Sequence, residues 1–347
     1  MRRQQDLEAE EKMFGARQDS EEYDLLAPSL PIETDLGEKN QKKIIAVGSA
    51  KGGVGKSVFA ANLGVFLAGR GYRTAVVDLD LGNANIHVHL GQHAPASRNV
   101  NDFIMKRVKT LNEIAVHSEY GPMVVSGGNS ELGAANIKFM KKLRLIKALG
   151  DIEADYVILD LGGDVSYNSL DFFLRADCGV VVTTPDSASY MGAYHFIKEA
   201  LYRKLARIFG PESSYRNEKN KDLERLICRM TAPAQGPEVK TVRELIDQVK
   251  EWQPHNLPLI TRVMADFRPC LVLNKVPKYN NVHHVPMMIQ EVSRKWLSKE
   301  VSFLGSISAQ SEVEESVLDQ VPVLARYPMG DFAIEMEYIV NNLLHNA

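Results

Sequence analysis

The sequence predicts an α/β fold in which a doubly wound, mostly parallel sheet carries helices on both faces. Short apolar runs recur along the chain, and stretches with apolar residues at helical spacing separate most of them. These runs lie at residues 44–47, 74–77, 123–125, 156–159, 179–184, 271–273 and 301–304. Each run is apolar almost without interruption, which indicates strands that are covered on both sides. Ligands bind beyond the carboxyl ends of such strands, so the loops that follow the runs are the candidate functional segments.

The chain divides into a tail and one domain. Residues 1–42 are rich in Glu, Asp, Gln and Arg and poor in large apolar residues, which predicts a disordered acidic tail. The alternative is a short partner-binding helix around residues 4–14, where the few apolar residues lie roughly at helical spacing. Residues 43–347 are predicted to form the α/β domain. A helical insertion is predicted at about 210–266, where a polar run and several prolines replace the strand pattern.

Composition excludes several functional classes. The formal net charge of the 347-residue chain is −3, which gives no reason to expect the whole surface to attract nucleic acid or anionic lipid. The three cysteines form no CxxC pair, so we expect no disulfide scaffold, zinc ribbon or iron–sulfur cluster. No stretch approaches the ~18–20 consecutive apolar residues that span a bilayer, and the charged N-terminus has no signal-peptide core. The expected compartment is the cytoplasm.

A glycine-rich loop, KGGVGKS at residues 51–57, follows the first apolar run and precedes a segment with helical spacing. Glycines let the backbone wrap around phosphates with its N–H groups pointing inward, and the following helix adds its positive end. Lys56 is predicted to reach the β- and γ-phosphates and Ser57 to bind Mg²⁺. The predicted nucleotide-binding residues of this loop are Gly52, Gly53, Val54, Gly55, Lys56, Ser57 and Val58. The expected cofactors are therefore ATP and Mg²⁺.

Carboxylates follow two further apolar runs. Asp78 and Asp80 come after the second run, and two side chains at this spacing point to the same side if the chain stays extended. Asp160 follows the run at 156–159 and begins an Asp-x-Gly-Gly sequence, as expected of a Walker B carboxylate beside a mobile switch. Next to a phosphate loop, these acids are suited to positioning water and Mg²⁺.

The loop has the deviant form KGGxGK[ST] and resembles the MinD/ParA/NifH/Mrp group of dimerising P-loop ATPases. The resemblance implies that the leading lysine, Lys51, crosses a dimer interface and contacts the phosphates bound by the other subunit. The run from Asp78 to Gly91 is similar to switch I of that group. By this resemblance Asp80 orients the attacking water, Asp78 supports Mg²⁺ through water, and Asn85 senses the γ-phosphate or the dimer partner.

A later stretch resembles one branch of that group. Residues 183–186 (TTPD), followed by 193–194 (AY) and 197–198 (IK), are similar to the TTPE…AY..IK stretch of the FlhG/FleN flagellar-number regulators. The resemblance covers roughly residues 44–209 and 268–345. It implies a slow ATPase that a protein partner stimulates. The ATP-dependent homodimer would control the placement or number of a flagellum, a division site or another cargo.

The chain departs from these relatives at its ends. The tail lacks the DQAxxLR motif by which the FlhG/FleN branch stimulates its partner GTPase. The C-terminus lacks the basic amphipathic helix with which MinD binds lipid. A membrane or DNA surface therefore has no support from the C-terminus, and a peripheral location through partners stays open.

Two other functions share this loop and stay open. A ParA-type DNA-partitioning ATPase needs an exposed basic face, and a biosynthetic amidoligase or synthetase needs a second-substrate pocket that nothing in the chain marks. Basic residues crowd two predicted helices, at Lys138, Lys141, Lys142, Arg144 and Lys147 and at Arg203, Lys204 and Arg207. We interpret both sets as solvated helix faces.

Three further polar residues complete the candidate set. Asn274, after the run at 271–273, matches the adenine-reading asparagine of the group that the chain resembles. His87 and His89 alternate along a stretch expected to be extended, and without a third ligand we expect them to face solvent. The predicted catalytic residues are thus Lys51, Lys56 and Asp80, and the predicted metal site consists of Ser57, Asp78 and Asp160.

Overall fold

A computed structural model describes residues 42–92, 96–128, 137, 139–209, 241–278, 282 and 284–346, with the side chains of residues 208 and 209 left aside. The predicted acidic tail and the alternative helix at 4–14 lie outside these residues. So does the first part of the predicted insertion, residues 210–240.

Eight strands form one sheet in the order β3-β4-β2-β5-β1-β6-β7-β8. Their bounds are β1 Lys43–Gly48, β2 Thr74–Leu79, β3 Val116–His117, β4 Met123–Val125, β5 Tyr156–Leu161, β6 Cys178–Thr183, β7 Pro269–Val276 and β8 Ser302–Ser308. All pairings are parallel except that of β3 with β4. All seven apolar runs are strands, so the predicted mostly parallel sheet is confirmed. The sequence missed β3, whose two residues are exposed at the edge.

Helices connect the strands. Their bounds are α1 Lys56–Gly69, α2 Ile86–His89, α3 Val100–Ile104, α4 Phe139–Gly150, α5 Tyr167–Phe173, α6 Ser187–Phe209, α7 Val242–Trp252, α8 Leu257–Ala265, α9 His284–Val292, α10 Ser311–Leu318, α11 Val323–Arg326 and α12 Asp331–Asn346. Short 3₁₀ turns lie at Asn112–Ile114 and Pro254–Asn256, and a π-helical turn at Ser293–Leu297 follows α9.

The two faces of the sheet carry separate hydrophobic cores, as a doubly wound fold requires. Alternate residues of β1 illustrate the division: Ile44 and Ala46 belong to one core, and Ile45 and Val47 to the other. Helices α3 to α9 supply the first core, and α1, α11 and α12 supply the second. Because period-two alternation buries both faces of the central strands, each strand appears in the sequence as an uninterrupted apolar run.

The described part of the predicted insertion is helical. Helices α7 and α8 bury Val242, Leu245 and Ile260 in the first core. These helices therefore pack against the same face of the sheet as α6 and lead directly into β7. The boundaries of an insertion remain a prediction, because residues 210–240 lie outside the described part of the chain.

Candidate functional site

A cleft of about 660 Å³ lies where the loops after β1, β2, β5, β7 and β8 meet. The loop at 51–58 forms its floor, and Asp80, Asn85 and Gly163 line the side formed by the loops after β2 and β5. Parallel strands bring these distant segments together because their carboxyl ends share one edge of the sheet. The cleft is therefore at the position that the strand pattern predicted.

The conformation of the phosphate loop requires glycine. Gly53 and Gly55 have φ angles of 79° and 89°, in the left-handed region that side chains disfavour. A Cβ atom at Gly55 would also lie 2.2 Å from Nδ2 of Asn274. Helix α1 begins at the next residue, so its positive N-terminal end faces the cleft. This arrangement is suited to binding an anion such as a polyphosphate.

The loop that follows β5 touches the phosphate loop through backbone atoms. A Cβ atom at Gly163 would lie 3.1 Å from both Cα and N of Gly52. Hence the two loops approach one another without side chains between them. A displacement of either backbone therefore forces the other to move.

Lys56 and Asp160 form a buried ion pair within the cleft. The distance from Lys56 Nζ to Asp160 Oδ1 is 2.6 Å, and the two side chains are 8% and 1% exposed. Oδ2 of Asp160 is buried and has no hydrogen-bond partner among the described residues. An unsatisfied buried oxygen costs about 1–3 kcal/mol, so this atom is suited to receive a further polar ligand.

Asp78 lies opposite Asp160 in the register of β2 and β5. Its carboxylate is fully buried and accepts hydrogen bonds from the backbone N–H of Asp80, at 3.0 Å, and of Ile86, at 2.9 Å. Burial raises the pKa of Asp78 to about 8, and the charge of Asp160 adds to the increase. Asp78 therefore holds the loop after β2 from beneath. Asp80 lines the cleft itself, and its carboxylate accepts from Asn83 N at 3.2 Å.

The oxygen atoms present here fit Mg²⁺. Ser57 stands in the first turn of α1 at the cleft, and Asp160 contributes an unpaired carboxylate oxygen. Mg²⁺ is typically held by one or two protein oxygens together with waters and substrate phosphates. Across the described ranges, no group of three or more His, Cys, Asp and Glu residues could hold a metal ion by itself. A metal at this position would thus depend on the nucleotide for several of its ligands.

Lys51 points away from Lys56. Its Nζ lies 3.2 Å from Asp186 Oδ1 and 3.3 Å from Ser189 Oγ, both at the start of α6. The Lys51 side chain is half exposed. Hydrogen bonds from Ser189 and Thr184 hold the pKa of Asp186 well below its usual range, so this carboxylate stays ionised. The two lysines of the loop consequently have separate partners, and Lys51 lies at the rim.

Asn274 and Lys275 support the phosphate loop from the end of β7. Nδ2 of Asn274 donates to Val54 O at 2.8 Å, and Nζ of Lys275 donates to Gly53 O at 2.8 Å. Asn274 lines the cleft beside this loop. Its predicted contact with adenine remains a prediction, whereas its contact with the loop was not predicted.

One wall of the cleft was not predicted from the sequence. Residues 307–310, at the end of β8 and just beyond it, line this wall together with α10, whose Val313, Val317 and 80% exposed Leu318 form an apolar surface. The available signal was the apolar run at 301–304, because the loop after any parallel strand of this sheet reaches the same edge.

The expectation for the histidines is wrong for His87. Residues 86–89 form the short helix α2, and His87 is only 8% exposed, with a buried Nδ1 that lacks a partner among the described residues. His89 lines the cleft. Burial lowers the pKa of both rings, which favours their neutral forms. The helix turns these side chains inward, where an extended chain would alternate them.

The interpretation of the basic helices as solvated faces is also wrong for three residues. Lys142 of α4 and Arg203 and Arg207 of α6 converge on Asp171 of α5, which is 1% exposed. Arg203 binds it with two nitrogens, at 2.9 and 3.1 Å. Burial alone would raise the pKa of Asp171, but these hydrogen bonds and charges lower it overall. Three of the eight basic residues of the two predicted sets therefore face Asp171 rather than solvent.

No helix in the described ranges is long and apolar enough to cross a membrane.

Comparisons with known proteins agree with this geometry. The family described as the CobQ/CobB/MinD/ParA nucleotide binding domain matches residues 45–323, well over half of the chain. Two curated relatives are the flagellum site-determining protein YlxH of Helicobacter pylori and the antiactivator FleN of Pseudomonas aeruginosa. YlxH is 32% identical over 57% of this chain and 62% of its own length. FleN is 29% identical over 47% of this chain and 58% of its own length. The chain thus spans less than two thirds of either relative.

A solved structure shares the fold. The septum site-determining protein MinD of Pyrococcus horikoshii, complexed with Mg-ADP, matches with a TM-score of 0.58. The match covers 87% of this chain and 96% of that structure at 17% identity.

Proposed function

Because this chain belongs to the CobQ/CobB/MinD/ParA nucleotide-binding family, we propose that it is an ATP-hydrolysing dimerisation switch of the MinD/ParA type. Its cofactors are ATP and Mg²⁺, and a protein partner stimulates its slow turnover. Its cargo is a flagellum, as the name of the flagellum site-determining protein YlxH suggests. One observation carries the proposal: the phosphate loop and Asp80 come from two strand ends and line one cleft, and Asp160, from a third strand end, is paired with Lys56 of that loop.

The ion pair of Lys56 with Asp160 supports exchange of partners on nucleotide binding. A γ-phosphate at the floor of the cleft competes with Asp160 for the Lys56 ammonium group. Asp160, released from Lys56, and Ser57, which lines the cleft, would then hold a hydrated cation. Bound Mg²⁺ neutralises phosphate charge, as in other P-loop enzymes. Asp80, at the open side of the cleft, holds and orients the attacking water.

Lys51 supplies the link between turnover and association. It is half exposed and its ion pair with Asp186 lies at the rim, so its release costs little. In an ATP-bound dimer it reaches the phosphates of the other subunit, where a cation from outside stabilises the charge that develops on the phosphates. Hydrolysis removes this contact and reopens the dimer, so partner binding follows nucleotide state.

A mixing experiment tests this function. Lys51→Ala should bind ATP in calorimetry but lose dimerisation and turnover, and Lys56→Ala should fail to bind ATP. A mixed dimer that closes on a single ATP has one complete site, so an equal mixture should regain part of wild-type turnover although neither variant is active alone. Lys278→Ala is the matched control, since Lys278 also forms an exposed ion pair, with Asp331. Near wild-type turnover by Lys51→Ala alone would contradict the shared site.

A further inference from the structure

A second cavity of about 390 Å³ lies between α4 and the segment that follows α3. We name it the basic groove, and we use floor for its apolar lining residues Phe103, Leu111, Met140 and Leu143 and rim for its basic lining residues Lys109, Arg144 and Lys147. Asp151 adds one negative charge at the end of α4. The lining shares no described residue with the nucleotide cleft. This groove therefore combines an apolar floor with a mainly cationic rim.

The lysines of the basic groove have no carboxylate within ion-pair distance in the described part of the chain, although Glu113 is near enough to Lys109 for their charges to interact. Lys109 and Lys147 are exposed, and neither forms an ion pair with a carboxylate in the described part of the chain. Arg144 lies 4.2 Å from the ring centroid of Phe103 and donates to Phe103 O at 3.1 Å, so its guanidinium is fixed against the wall. Lys142, on the inner face of the same helix, has Asp171 as its partner. The outward cations of α4 are free to receive an anion.

A segment of the same chain has the complementary chemistry. Residues 19–38 contain seven carboxylates and no lysine or arginine. The same stretch carries apolar side chains among the carboxylates, including Leu25, Leu26, Ile32 and Leu36. An acidic segment with interspersed leucines matches a groove that has an apolar floor and a cationic rim.

The described part of the chain begins close to the groove. Lys42, where the described part of the domain begins, donates from Nζ to Gly150 O at the last residue of α4. Asp151, the next residue, lines the groove. Residues 32–38 therefore precede Lys42 by at most ten residues, and a chain of that length reaches at most ~35 Å. Such a tether gives a high effective concentration, so weak contacts suffice for binding.

We propose that residues 19–38 dock into the basic groove of their own chain, with leucine or isoleucine side chains on the floor and carboxylates against Lys109, Arg144 and Lys147. The groove is concave and its floor is apolar, which fits a peptide. Nucleic acid would use the cations and leave the floor unfilled. The segment covers α4 on the face opposite to Lys142, which α4 uses to bind Asp171. An external acidic peptide would have to displace the segment to reach this site.

Zero-length carbodiimide cross-linking of the full chain tests the proposal. This reagent joins a lysine to a carboxylate only when the two are in contact, and peptide mass spectrometry identifies the pair. We expect Lys109 and Lys147 to be joined to carboxylates of residues 19–38. Lys295, exposed at the other end of the sheet, should not be joined to them. In an equal mixture of ¹⁴N- and ¹⁵N-labelled chains, each cross-linked peptide pair should carry a single isotope, because both peptides come from the same chain.

A pair of matched variants controls for charge and fold. Met140→Glu places a like charge on the floor of the groove at a side chain that is 54% exposed, so the fold is retained. It should lower the yield of the Lys109 and Lys147 products about tenfold. Met287→Glu, at a methionine of α9 that is 58% exposed, should leave the yield unchanged. Equal yields at Lys295, products mainly between isotope classes, or an unaffected Met140→Glu variant would each overturn the proposal.

Discussion

Two buried carboxylates, Asp160 at the end of β5 and Asp171 on α5, are equally shielded from solvent but have different surroundings. Asp160 has one cation, Lys56, and one oxygen without a hydrogen bond among the described residues. Asp171 has three cations, which come from α4 and α6. A carboxylate that is fully paired is costly to disturb and fixes the helices around it. One that is half paired can exchange its partner for a ligand.

The largest expected effect is a loss of stability on substitution of the fully paired carboxylate, Asp171. Asp171→Ala leaves three cations without their shared anion and should lower the free energy of unfolding by about 3–5 kcal/mol. Urea unfolding followed by circular dichroism measures this. Asp247→Ala, which breaks an exposed pair with Lys250, is the control and should change stability by less than ~0.5 kcal/mol. Equal effects of the two substitutions would remove the structural role that we assign to Asp171.

Lys56→Ala removes the cation that is paired with Asp160. It should weaken ATP binding at least about 100-fold, because the cation for the phosphates is lost. The same variant without nucleotide should be less destabilised than Asp171→Ala, because Lys56 lines the cleft and its truncation lets water reach Asp160. Calorimetric titration with ATP measures the affinity, and urea unfolding measures the stability. A stability loss as large as that of Asp171→Ala would mean that the two carboxylates have the same role.

Asp80→Ala is expected to have the smallest effect and separates binding from chemistry. Asp80 lies on the loop after β2 at the open side of the cleft and has no contact with Lys56 among the hydrogen bonds described. ATP affinity should stay within about threefold, and turnover should fall about 10- to 100-fold, which prolongs the ATP-bound dimer. Phosphate release and light scattering measure these effects. Normal turnover with a monomeric ATP state would contradict the role of Asp80.

Local sequence was sufficient for much of the fold and of the cleft. A strand that is buried on both faces is apolar at every position, so seven of the eight strands could be predicted from short runs. The loop at 51–57 could be predicted because its backbone demands glycine and its function demands lysine. The approach of Asp160 to Lys56 followed from the rule that parallel strands end at one edge.

The remaining features depend on contacts that no local pattern contains. Lys142 and Arg203 look like surface residues, because their shared anion, Asp171, lies on a third helix. His87 was expected to face solvent, but the short helix α2 turns it inward. Residues 307–318 were missed because their role depends on where β8 lies in the sheet rather than on their composition.

The contact between Gly52 and Gly163 limits how this protein can vary. Side chains in a switch can usually be exchanged in small steps, each tuning how strongly one state is favoured. Here the two loops touch through peptide backbone. A Cβ atom added at Gly163 would lie 3.1 Å from Cα and N of Gly52. Even one methyl group at Gly163 would require the two loops to separate by a few tenths of an ångström. Mutation can therefore alter the outer surface of this protein far more easily than it can alter the spacing of these two loops.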